Sequence, residues 1–455
     1  MAEKKGVTRR DFLKAGGLAA GVAATGCGIL GGSKTASAGK GHAPMGLMAK
    51  PADLPKPKGQ RVVVVGGGWS GLTIAKYLKK EDPKLDVVLV EKNAMFMSCP
   101  LSSLWVTGTA PDDVDLEFLC HSYLDAARNN GYFFHNATVV DVDRDSRKVY
   151  TDRGYIHYDF LVLSPGIDYN YDSMGVHDPA DQQYLWTHYP PGFMPGSEHI
   201  SLKEKLENFE GGVFVQTVPP GNYRCLPGPY ERACLIADYF KREGIKGKVL
   251  VLDANPDITI KKKGFEAAFN ELYKGIIERI GSVEITSVDI GKKTLNTEFE
   301  SYKFDDASIY PRVRASRLIE ALGLVNPESP QMEANIDPLH YNIKGDKRVY
   351  VAGDSRPMPF SKSGNTANSE GKIVAKIIAA RANGKEIPWQ SPHTICYSFV
   401  HGEPLEAIGV DAYYSYNPKD GSFAFARVKL FEERSPAMAQ TGLEWARGMF
   451  RDMFS

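Results

Sequence analysis

The sequence predicts an α/β protein that contains two parallel β-sheets and ends in a smaller α+β domain. Four consecutive valines at 62–65 precede a glycine-rich turn and a helical pattern. Residues 212–218 form a second apolar run, and residues 347–352 form a third before another helical pattern. Uninterrupted apolar runs are typical of strands that are buried on both faces, as in parallel sheets. A chain of 455 residues is too long for one ordinary core, so we expect several domains.

The first apolar run continues as Gly66-x-Gly68-x-x-Gly71, and the following strand ends at Glu91. The first glycine allows a tight turn, the second lets a pyrophosphate approach the backbone, and the third lets the helix pack closely on its strand. The helix N-terminus presents N–H groups to the phosphates, and the acid can accept a hydrogen bond from a ribose hydroxyl. We therefore predict a dinucleotide site at Gly66, Gly68, Ser70, Gly71 and Glu91. An ordinary glycine-rich turn is the alternative.

Composition argues against a nucleic-acid partner. The chain has 55 basic and 55 acidic residues, a formal net charge of +0, so no basic surface is indicated. Hydrophobic residues make up 43% and charged residues 24%, as in soluble globular proteins. After the N-terminal region no apolar run reaches the ~18 residues that span a bilayer. Membrane contact is therefore expected at most as peripheral docking.

The N-terminal residues predict an export signal. The paired Arg9 and Arg10, a weakly apolar run at 15–30 and the site Ala36-Ser37-Ala38 are typical of a twin-arginine signal, which carries folded proteins across the membrane. We predict a signal at 1–38, a linker at 39–59 and a periplasmic protein. Two alternatives stay open, namely a mobile N-terminal arm and a lipoprotein anchor at Cys27.

Removal of such a leader leaves five of the six cysteines. In an exported protein an odd number leaves at least one cysteine unpaired or otherwise used. The sequence has no Cys-x-x-Cys-His motif for a c-type haem and no cysteine and histidine cluster with zinc spacing, so we predict no metal site in this chain. Cys120, in a predicted helix at 113–130, and Cys234, in another helical run, are interpreted as small core residues.

Two further turns, Ser164-Pro165-Gly166 and Gly353-Asp354, follow predicted strands. Together with the first glycine motif they resemble the flavoproteins that have two Rossmann-like folds of the glutathione-reductase type. The resemblance implies that Ser164 and Gly166 close the first nucleotide fold and that Gly353 and Asp354 bind the flavin chain of FAD. It also implies the following division: an FAD domain at 60–170 and 301–384, an NAD-like domain at 171–300 and a C-terminal domain at 385–455.

The turn after the strand at 212–218 differs from a nucleotide-binding turn. It reads Pro219-Pro220-Gly-Asn-Tyr-Arg-Cys225-Leu-Pro-Gly-Pro and lacks the Gly-x-Gly-x-x-Gly pattern. Prolines have no N–H group to offer a pyrophosphate. We therefore predict that this domain does not bind a nicotinamide cofactor and places a cysteine at the turn instead.

Three stretches carry a more specific resemblance. They are Tyr-Arg-Cys225-Leu-Pro-Gly-Pro-Tyr-Glu231, Thr-Ile-Cys396-Tyr-Ser and Lys362-Ser-Gly-Asn-Thr-Ala. The chain from about residue 60 onwards resembles the flavoprotein subunit of flavocytochrome c sulfide dehydrogenase, a relative of the sulfide:quinone oxidoreductases. The resemblance implies FAD joined through the sulfur of Cys99 to its 8α-methyl group and a disulfide between Cys225 and Cys396 over the flavin ring. It also implies a carboxylate at Glu231 beside that disulfide, and Lys362 in the cofactor site.

Each of these roles has an alternative. Cys225 and Cys396 would form a purely structural disulfide in the simplest exported protein. Cys99 would be an ordinary buried thiol, and its neighbour Pro100 departs from the family motif. Glu231 would be a solvated acid in the first turn of a helix, where acids are favoured.

The resemblance implies oxidation of sulfide to sulfur or polysulfide. Hydrosulfide attacks a disulfide sulfur and gives a persulfide and a thiolate. FAD receives two electrons and passes them to the haem of a separate c-type cytochrome. Glu231 can take up a proton if burial raises its pKa. We therefore expect a sulfide dehydrogenase flavoprotein, with a sulfide:quinone reductase and a flavoprotein for another sulfur compound as alternatives.

The final predicted helix carries an apolar stripe. Its members are Trp445, Met449, Phe450, Met453 and Phe454. Because the opposite face is not basic, packing on the protein body or on a partner is favoured over membrane docking.

Overall fold

The computed structural model describes residues 49–455. The predicted signal at 1–38, Cys27 and the linker residues 39–48 lie outside this range. Among the described residues, no helix is both long and apolar enough to cross a membrane.

The first sheet has five parallel strands and forms the centre of the FAD-type domain. In spatial order they are Val349–Val351, Phe160–Leu163, Arg61–Val65, Asp86–Glu91 and Phe133–Asn136. The valines at 62–65 are at most 5% exposed, so both faces of the central strand are covered. Helices Trp69–Glu81 and Gly364–Ala382 pack against each other and bring the two distant chain segments together. The predicted α/β class with two dinucleotide-type folds is confirmed.

Antiparallel strands and short helices complete the first segment. One sheet contains Val139–Asp143, Lys148–Thr151 and Gly154–His157; two further strands, Met95–Met97 and Cys120–Ser122, pair with each other; the helices are Ser102–Val106, Leu116–Leu119 and Tyr123–Asn130. The prediction of one helix across 113–130 is wrong, because the chain at Cys120–Ser122 pairs with a neighbouring strand. The Ser122 side chain then accepts a hydrogen bond from the Asp125 N–H and starts a new helix. Cys120 is a partly exposed strand residue and not a core residue.

The second parallel sheet belongs to the central domain. Its strands are Ile277–Gly281, Gly247–Asp253, Gly212–Val218 and Asp306–Ser308 in spatial order. The helices are Pro179–His188, Ser197–Glu207, Gly228–Arg242 and Lys262–Ala267, the last continuing as a π-helix at Ala268–Leu272; a small antiparallel sheet contains Ser287–Asp289, Thr294–Asn296 and Ser301–Lys303. Because Asp306–Ser308 pairs with the strand Gly212–Val218, the central domain extends past the predicted boundary at residue 300.

A two-stranded antiparallel ribbon marks the passage between the two domains. Ile167–Asn170, where the chain leaves the FAD-type domain, pairs with Arg312–Ala315, where it returns. A 3₁₀ turn at Tyr171–Met174 follows the first strand, a short helix at Arg317–Ala321 follows the second, and another 3₁₀ turn lies at Gly353–Ser355.

The C-terminal domain is an antiparallel sheet followed by a helix. The strands are His393–His401, Glu406–Asn417 and Ser422–Ser435, and the helix is Pro436–Phe454. The apolar stripe of this helix packs on the protein body. The Phe450 ring centroid lies 5.9 Å from that of Trp69 and 4.6 Å from that of His121. The buried residues of the helix are Ala439, Gly442, Leu443, Ala446, Met449, Phe450 and Met453.

Candidate active site

A cleft of about 480 Å³ opens at the carboxyl ends of the first parallel sheet. Ligands of open α/β sheets bind at this edge. Eight of the predicted cofactor residues line the cleft: Gly66, Gly68, Ser70, Glu91, Ser164, Gly166, Gly353 and Asp354. Two other predicted residues lie behind its wall, namely Gly71 and Lys362. Cys99 lies partly exposed close to Arg224, a residue that lines the cleft.

The three glycines of the motif have different local constraints. Gly66 has a φ of +97°, and a Cβ there would lie 2.3 Å from the Ser164 carbonyl oxygen. A Cβ on Gly71 would lie 1.8 Å from the Gly66 carbonyl oxygen. A Cβ on Gly68 would meet no atom within 4 Å, so the space beside Gly68 is open to a ligand. The helix that starts after Gly68 has no side-chain cap on its N-terminal N–H groups. This arrangement fits the pyrophosphate of a dinucleotide such as FAD.

Glu91 holds the glycine turn in place. One carboxylate oxygen accepts a hydrogen bond from the Gly67 N–H at 2.7 Å, and the other accepts hydrogen bonds from Asn93. The carboxylate therefore stands at the end of its strand, on the wall of the cleft, where the sequence predicts it.

A partly buried arginine also faces the cleft. The Arg224 Nε lies 3.6 Å from the carboxylate of Asp354. Burial lowers the pKa of Arg224, but the charge of Asp354, together with Cys99 and two nearby tyrosines, raises that pKa above its usual value. Arg224 is not predicted from the sequence, although it immediately precedes Cys225. The turn thus carries a cation on the cleft side next to the cysteine.

Lys362 connects the cysteine turn to the FAD-type domain. Its Nζ donates hydrogen bonds to the Glu333 carboxylate at 2.6 Å and to the Asp354 carbonyl oxygen at 2.8 Å. Its own carbonyl oxygen accepts a hydrogen bond from the Cys225 N–H at 2.8 Å. Burial lowers the pKa of the Lys362 ammonium, and Glu333 opposes that effect. Lys362 therefore supports the cleft from behind and does not line it.

Cys225 sits at the start of helix Gly228–Arg242 in an unusual backbone conformation. Its φ is +60°, in the left-handed region, and its carbonyl oxygen accepts a hydrogen bond from the Gly228 N–H. Burial raises the pKa of its thiol well above the usual range, and the facing Cys396 and Cys99 thiols raise it further. The fold therefore brings Cys99, Cys225 and Cys396, each of them partly exposed, close together.

Every cysteine that the structure describes is a free thiol. The disulfide between Cys225 and Cys396 that the resemblance implies therefore stays a prediction. Cys396 lies in strand His393–His401, against which helix Gly228–Arg242 packs. Cys234 is fully buried in that helix, as its interpretation as a core residue requires.

Glu231 is buried beside the thiols and is not a solvated helix acid. It is 8% exposed and lies in the first turn of helix Gly228–Arg242. Burial raises the pKa of Glu231 to about 7, although Lys261, Arg232 and Ser398 each act to lower it. At that pKa the carboxyl group can both take up and release a proton near neutral pH.

Two further buried residues at the site are not predicted from the sequence. Lys261 is 1% exposed, and its Nζ donates a hydrogen bond to the Ser398 hydroxyl at 2.6 Å. It is the first of three consecutive lysines, and no sequence pattern separates it from Lys262 and Lys263. Glu198, on the cleft wall, accepts hydrogen bonds from the Trp186 indole N–H and from the backbone N–H groups of the loop at 192–194. Its position in the first turn of a helix gives no sign of that contact.

The carboxyl edge of the central sheet is occupied by the protein's own side chains. Asp253 ends its strand at the position where a nucleotide fold carries a ribose-binding acid. It is fully buried and accepts hydrogen bonds from the Tyr230 hydroxyl at 2.7 Å and from the Arg279 Nε at 2.9 Å. Over residues 49–455, no group of histidine, cysteine, aspartate and glutamate side chains could hold a metal ion.

Two family models match the chain. Residues 60–182 match the pyridine nucleotide-disulphide oxidoreductase model. Residues 200–311 match the model of the sulfide dehydrogenase (flavocytochrome c) flavoprotein chain, central. The two matches fall on the first nucleotide fold and on the central domain that carries Cys225 and Glu231.

The similar individual proteins are oxidoreductases. The mitochondrial sulfide:quinone oxidoreductase of Dictyostelium discoideum is 24% identical over 334 residues, 69% of each chain. A type II NADH:quinone oxidoreductase of Staphylococcus haemolyticus is 21% identical, covering 86% of this chain and 99% of that protein. The sulfide dehydrogenase (flavocytochrome c) flavoprotein chain of Chlorobaculum thiosulfatiphilum is 54% identical over 44 residues, 10% of this chain and 92% of that sequence.

The solved structure of the sulfide:quinone oxidoreductase from Aquifex aeolicus has the same fold. It superposes with a TM-score of 0.69 at 18% identity and covers 87% of this chain and 91% of that chain.

The open space at Gly68 predicts the effect of a single methyl group. In a Cys99→Ser background, where the flavin is exchangeable, Gly68→Ala should weaken FAD binding about tenfold or more, because the methyl group occupies the space that the pyrophosphate needs. Titration of the apoprotein with FAD, followed by flavin fluorescence, measures this. The thermal unfolding midpoint of the apoprotein should stay unchanged.

Gly71→Ala is the contrasting variant, because its methyl group would clash with the Gly66 carbonyl and lower that midpoint. Equal FAD affinity in the Gly68→Ala variant would contradict the site. In the protein with Cys99 intact, acid precipitation tests the implied covalent bond, and yellow colour in the supernatant would exclude it.

Proposed function

The chain belongs to the flavoprotein family of the sulfide:quinone oxidoreductases and the flavocytochrome c sulfide dehydrogenase flavoprotein chains, and on this premise we propose that it is an FAD-dependent sulfide dehydrogenase that reduces a c-type cytochrome. The observation that carries the proposal is the clustering of Cys225, Cys396 and Glu231, next along the chain to Arg224, which lines the flavin cleft.

The cleft residues fit FAD, as the open space at Gly68 and the uncapped helix show. Gly66, Gly68 and Ser70 would hold the pyrophosphate, Glu91 the ribose, and Asp354 the flavin chain. When bound, FAD accepts two electrons and releases them one at a time. Arg224, in the cysteine turn, places a positive charge on the wall of the cleft.

Cys225 and Cys396 are the proposed redox pair, with two thiols as its reduced form and a disulfide as its oxidised form. In the oxidised form, hydrosulfide attacks one sulfur of a Cys225–Cys396 disulfide. A sulfur–sulfur bond forms between the substrate and that cysteine, the bond between the cysteines breaks, and its electron pair stays on the other cysteine as a thiolate. Completion of the cycle removes two electrons and one proton from each hydrosulfide and gives zero-valent sulfur. FAD bound in the cleft would supply the acceptor for these electrons on their way to the cytochrome.

Glu231 is the proposed acceptor of the substrate's proton. Its carboxylate is buried beside both thiols, and its pKa of about 7 lets it ionise at neutral pH. A base of this kind typically contributes about 10²–10⁴-fold to a rate.

NADH is disfavoured as the electron donor, although a similar protein is named for its use of NADH. The turn that would face a pyrophosphate begins with Pro219 and Pro220, and Asp253 is already bound by Tyr230 and Arg279. A nicotinamide cofactor would therefore lack both its phosphate and its ribose contacts.

The choice of a cytochrome over a quinone is supported by the terminal helix. Its apolar stripe packs on Trp69 and His121 and is not free to enter a membrane. A sulfide:quinone reductase is the second candidate, favoured by the similar quinone-reducing enzymes.

Export by the twin-arginine pathway completes the proposal and rests on the leader sequence alone. Lysine substitution of Arg9 and Arg10 should retain the protein in the cytoplasm, and cell fractionation measures this. If the substituted protein were still found in the periplasm in the same proportion, the export proposal would be contradicted.

Anaerobic titration with sulfide tests the proposed reaction. Sulfide should bleach the flavin absorbance of the oxidised protein, whereas NADH should not. Cys225→Ser and Cys396→Ser should each abolish the rapid bleaching, because neither variant can form the disulfide, while Cys120→Ser should leave it intact. Rapid bleaching in the two variants would show that the pair is not the entry point for electrons.

The electron acceptor is identified in the same cuvette. After reduction by sulfide, addition of a c-type cytochrome should restore the flavin colour within the mixing time. Rapid reoxidation by a soluble quinone, with none by the cytochrome, would favour the second candidate.

The pH dependence of reduction tests Glu231. Because hydrogen sulfide also ionises near neutral pH, the rate constant should be measured at saturating sulfide. The ionised carboxylate is the active form, so this rate constant should fall as the pH drops below about 7, by about tenfold per unit. Glu231→Gln should be slower by about 10²-fold at pH 8 and should lose this dependence. An identical pH profile in Glu231→Gln would remove Glu231 from the mechanism.

A further inference from the structure

Lys261 is a buried cation that has no role in the reaction as described above. It is 1% exposed, whereas its neighbour Lys262 pairs with Asp257 at the surface. The backbone at Lys261 is left-handed, with a φ of +56°, immediately before helix Lys262–Ala267. This conformation directs one of three consecutive lysines inward. Because burial of an ammonium group costs free energy unless the group is paired, Lys261 needs polar partners in the interior.

The contact of Lys261 lies on the strand that carries Cys396. Its Nζ donates a 2.6 Å hydrogen bond to the Ser398 hydroxyl. Ser398 is two residues after Cys396 in strand His393–His401, so the two side chains share one face of that strand. The ammonium group is thereby held on the face from which the Cys396 thiol projects.

The charged groups around Cys396 indicate how the contact between Lys261 and Ser398 affects the thiol. The charged and titratable groups that face the thiol are Lys261, Glu231 and Cys225. Burial raises the pKa of Cys396, Glu231 raises it further, and Lys261 and the Ser398 hydroxyl lower it. Lys261 is thus the one lysine or arginine among the described residues that these shifts place beside Cys396.

We propose that Lys261 is a positioning residue that stabilises anionic sulfur at Cys396, directly by its charge and through the Ser398 hydroxyl. This inference rests on the proposed function, since sulfide oxidation requires a thiolate or a persulfide anion in this buried place. A buried cation beside the reacting sulfur also explains why a small anion such as hydrosulfide would enter the site. The same cation lowers the pKa of Glu231, so it favours the ionised form of both the carboxyl group and the thiol against the effect of burial.

The test measures the Cys396 thiol without sulfide. In the FAD-loaded Cys225→Ser protein, which cannot form the disulfide, alkylation of Cys396 by iodoacetamide is followed by mass spectrometry as a function of pH. Lys261→Met should shift the alkylation profile to higher pH by about one unit, which is about tenfold slower alkylation at a fixed pH near neutrality. Lys261→Arg, which keeps the positive charge, should restore most of the rate.

Lys262→Met is the matched control, because it removes the adjacent surface lysine, and its profile should not move. If Lys261→Met does not fold, Lys261→Gln keeps a hydrogen-bond donor to Ser398 and should shift the profile in the same direction. An unchanged profile in a folded Lys261→Met or Lys261→Gln protein would overturn the proposal. Failure of sulfide to bleach the wild-type flavin would count against the proposed function alone, because the alkylation experiment contains no sulfide.

Discussion

The hydrogen bond between the Cys225 N–H and the Lys362 carbonyl oxygen holds the site together. It joins the first turn of the central sheet to the segment that closes the flavin cleft. Cys225 adopts a left-handed conformation that costs a residue with a side chain about 1–2 kcal/mol. The turn keeps this conformation because both of its backbone groups are bonded, the N–H to Lys362 and the carbonyl oxygen to the Gly228 N–H. Fixing this one residue points Arg224 at the cleft, leaves the thiol behind it and starts the helix that carries Glu231.

Charged groups around the cleft and the thiols each have a polar partner, and the contacts of Arg224 and Lys261 join chain segments from different domains. Lys362 is paired with Glu333, Arg224 faces Asp354, and Lys261 contacts Ser398. Removal of water from a charge is expensive, so such pairs persist only with good geometry and additional hydrogen bonds. These paired groups lie around the cleft and the thiols. Such buried ion pairs add little net stability, because a protein with apolar residues of similar volume in their place would often be as stable. Their position beside a cofactor cleft agrees with a role in controlling charge during a reaction.

The sequence predicts the parts of this molecule that follow from local rules. The valine run, Gly66-x-Gly68-x-x-Gly71 and the acid at Glu91 specify strand, turn and helix within one short segment, and the eight predicted residues that line the cleft all lie in such local turn motifs. The prediction of a helix across 113–130 fails because the pairing of Cys120–Ser122 with Met95–Met97 is a long-range contact that propensity does not contain. The burial of Lys261 could not be predicted from the sequence for a similar reason. Its burial depends on one backbone dihedral and on a strand more than a hundred residues away.

The electrostatic balance at the thiols explains why acid, cation and sulfur must lie together. Burial alone raises the pKa of Cys225, Cys396 and Glu231, and therefore favours neutral groups throughout the site. A fully neutral site would leave hydrosulfide with no favourable charge to approach and no base to receive its proton. A site with an unopposed carboxylate would repel the same anion. Because Lys261 and Arg232 oppose the burial of Glu231, its pKa comes to about 7 and the carboxyl group exchanges its proton under ordinary conditions. In the proposed reaction the cations thus permit an anionic substrate and a carboxylate base to occupy one space, which neither burial nor the thiols alone would allow.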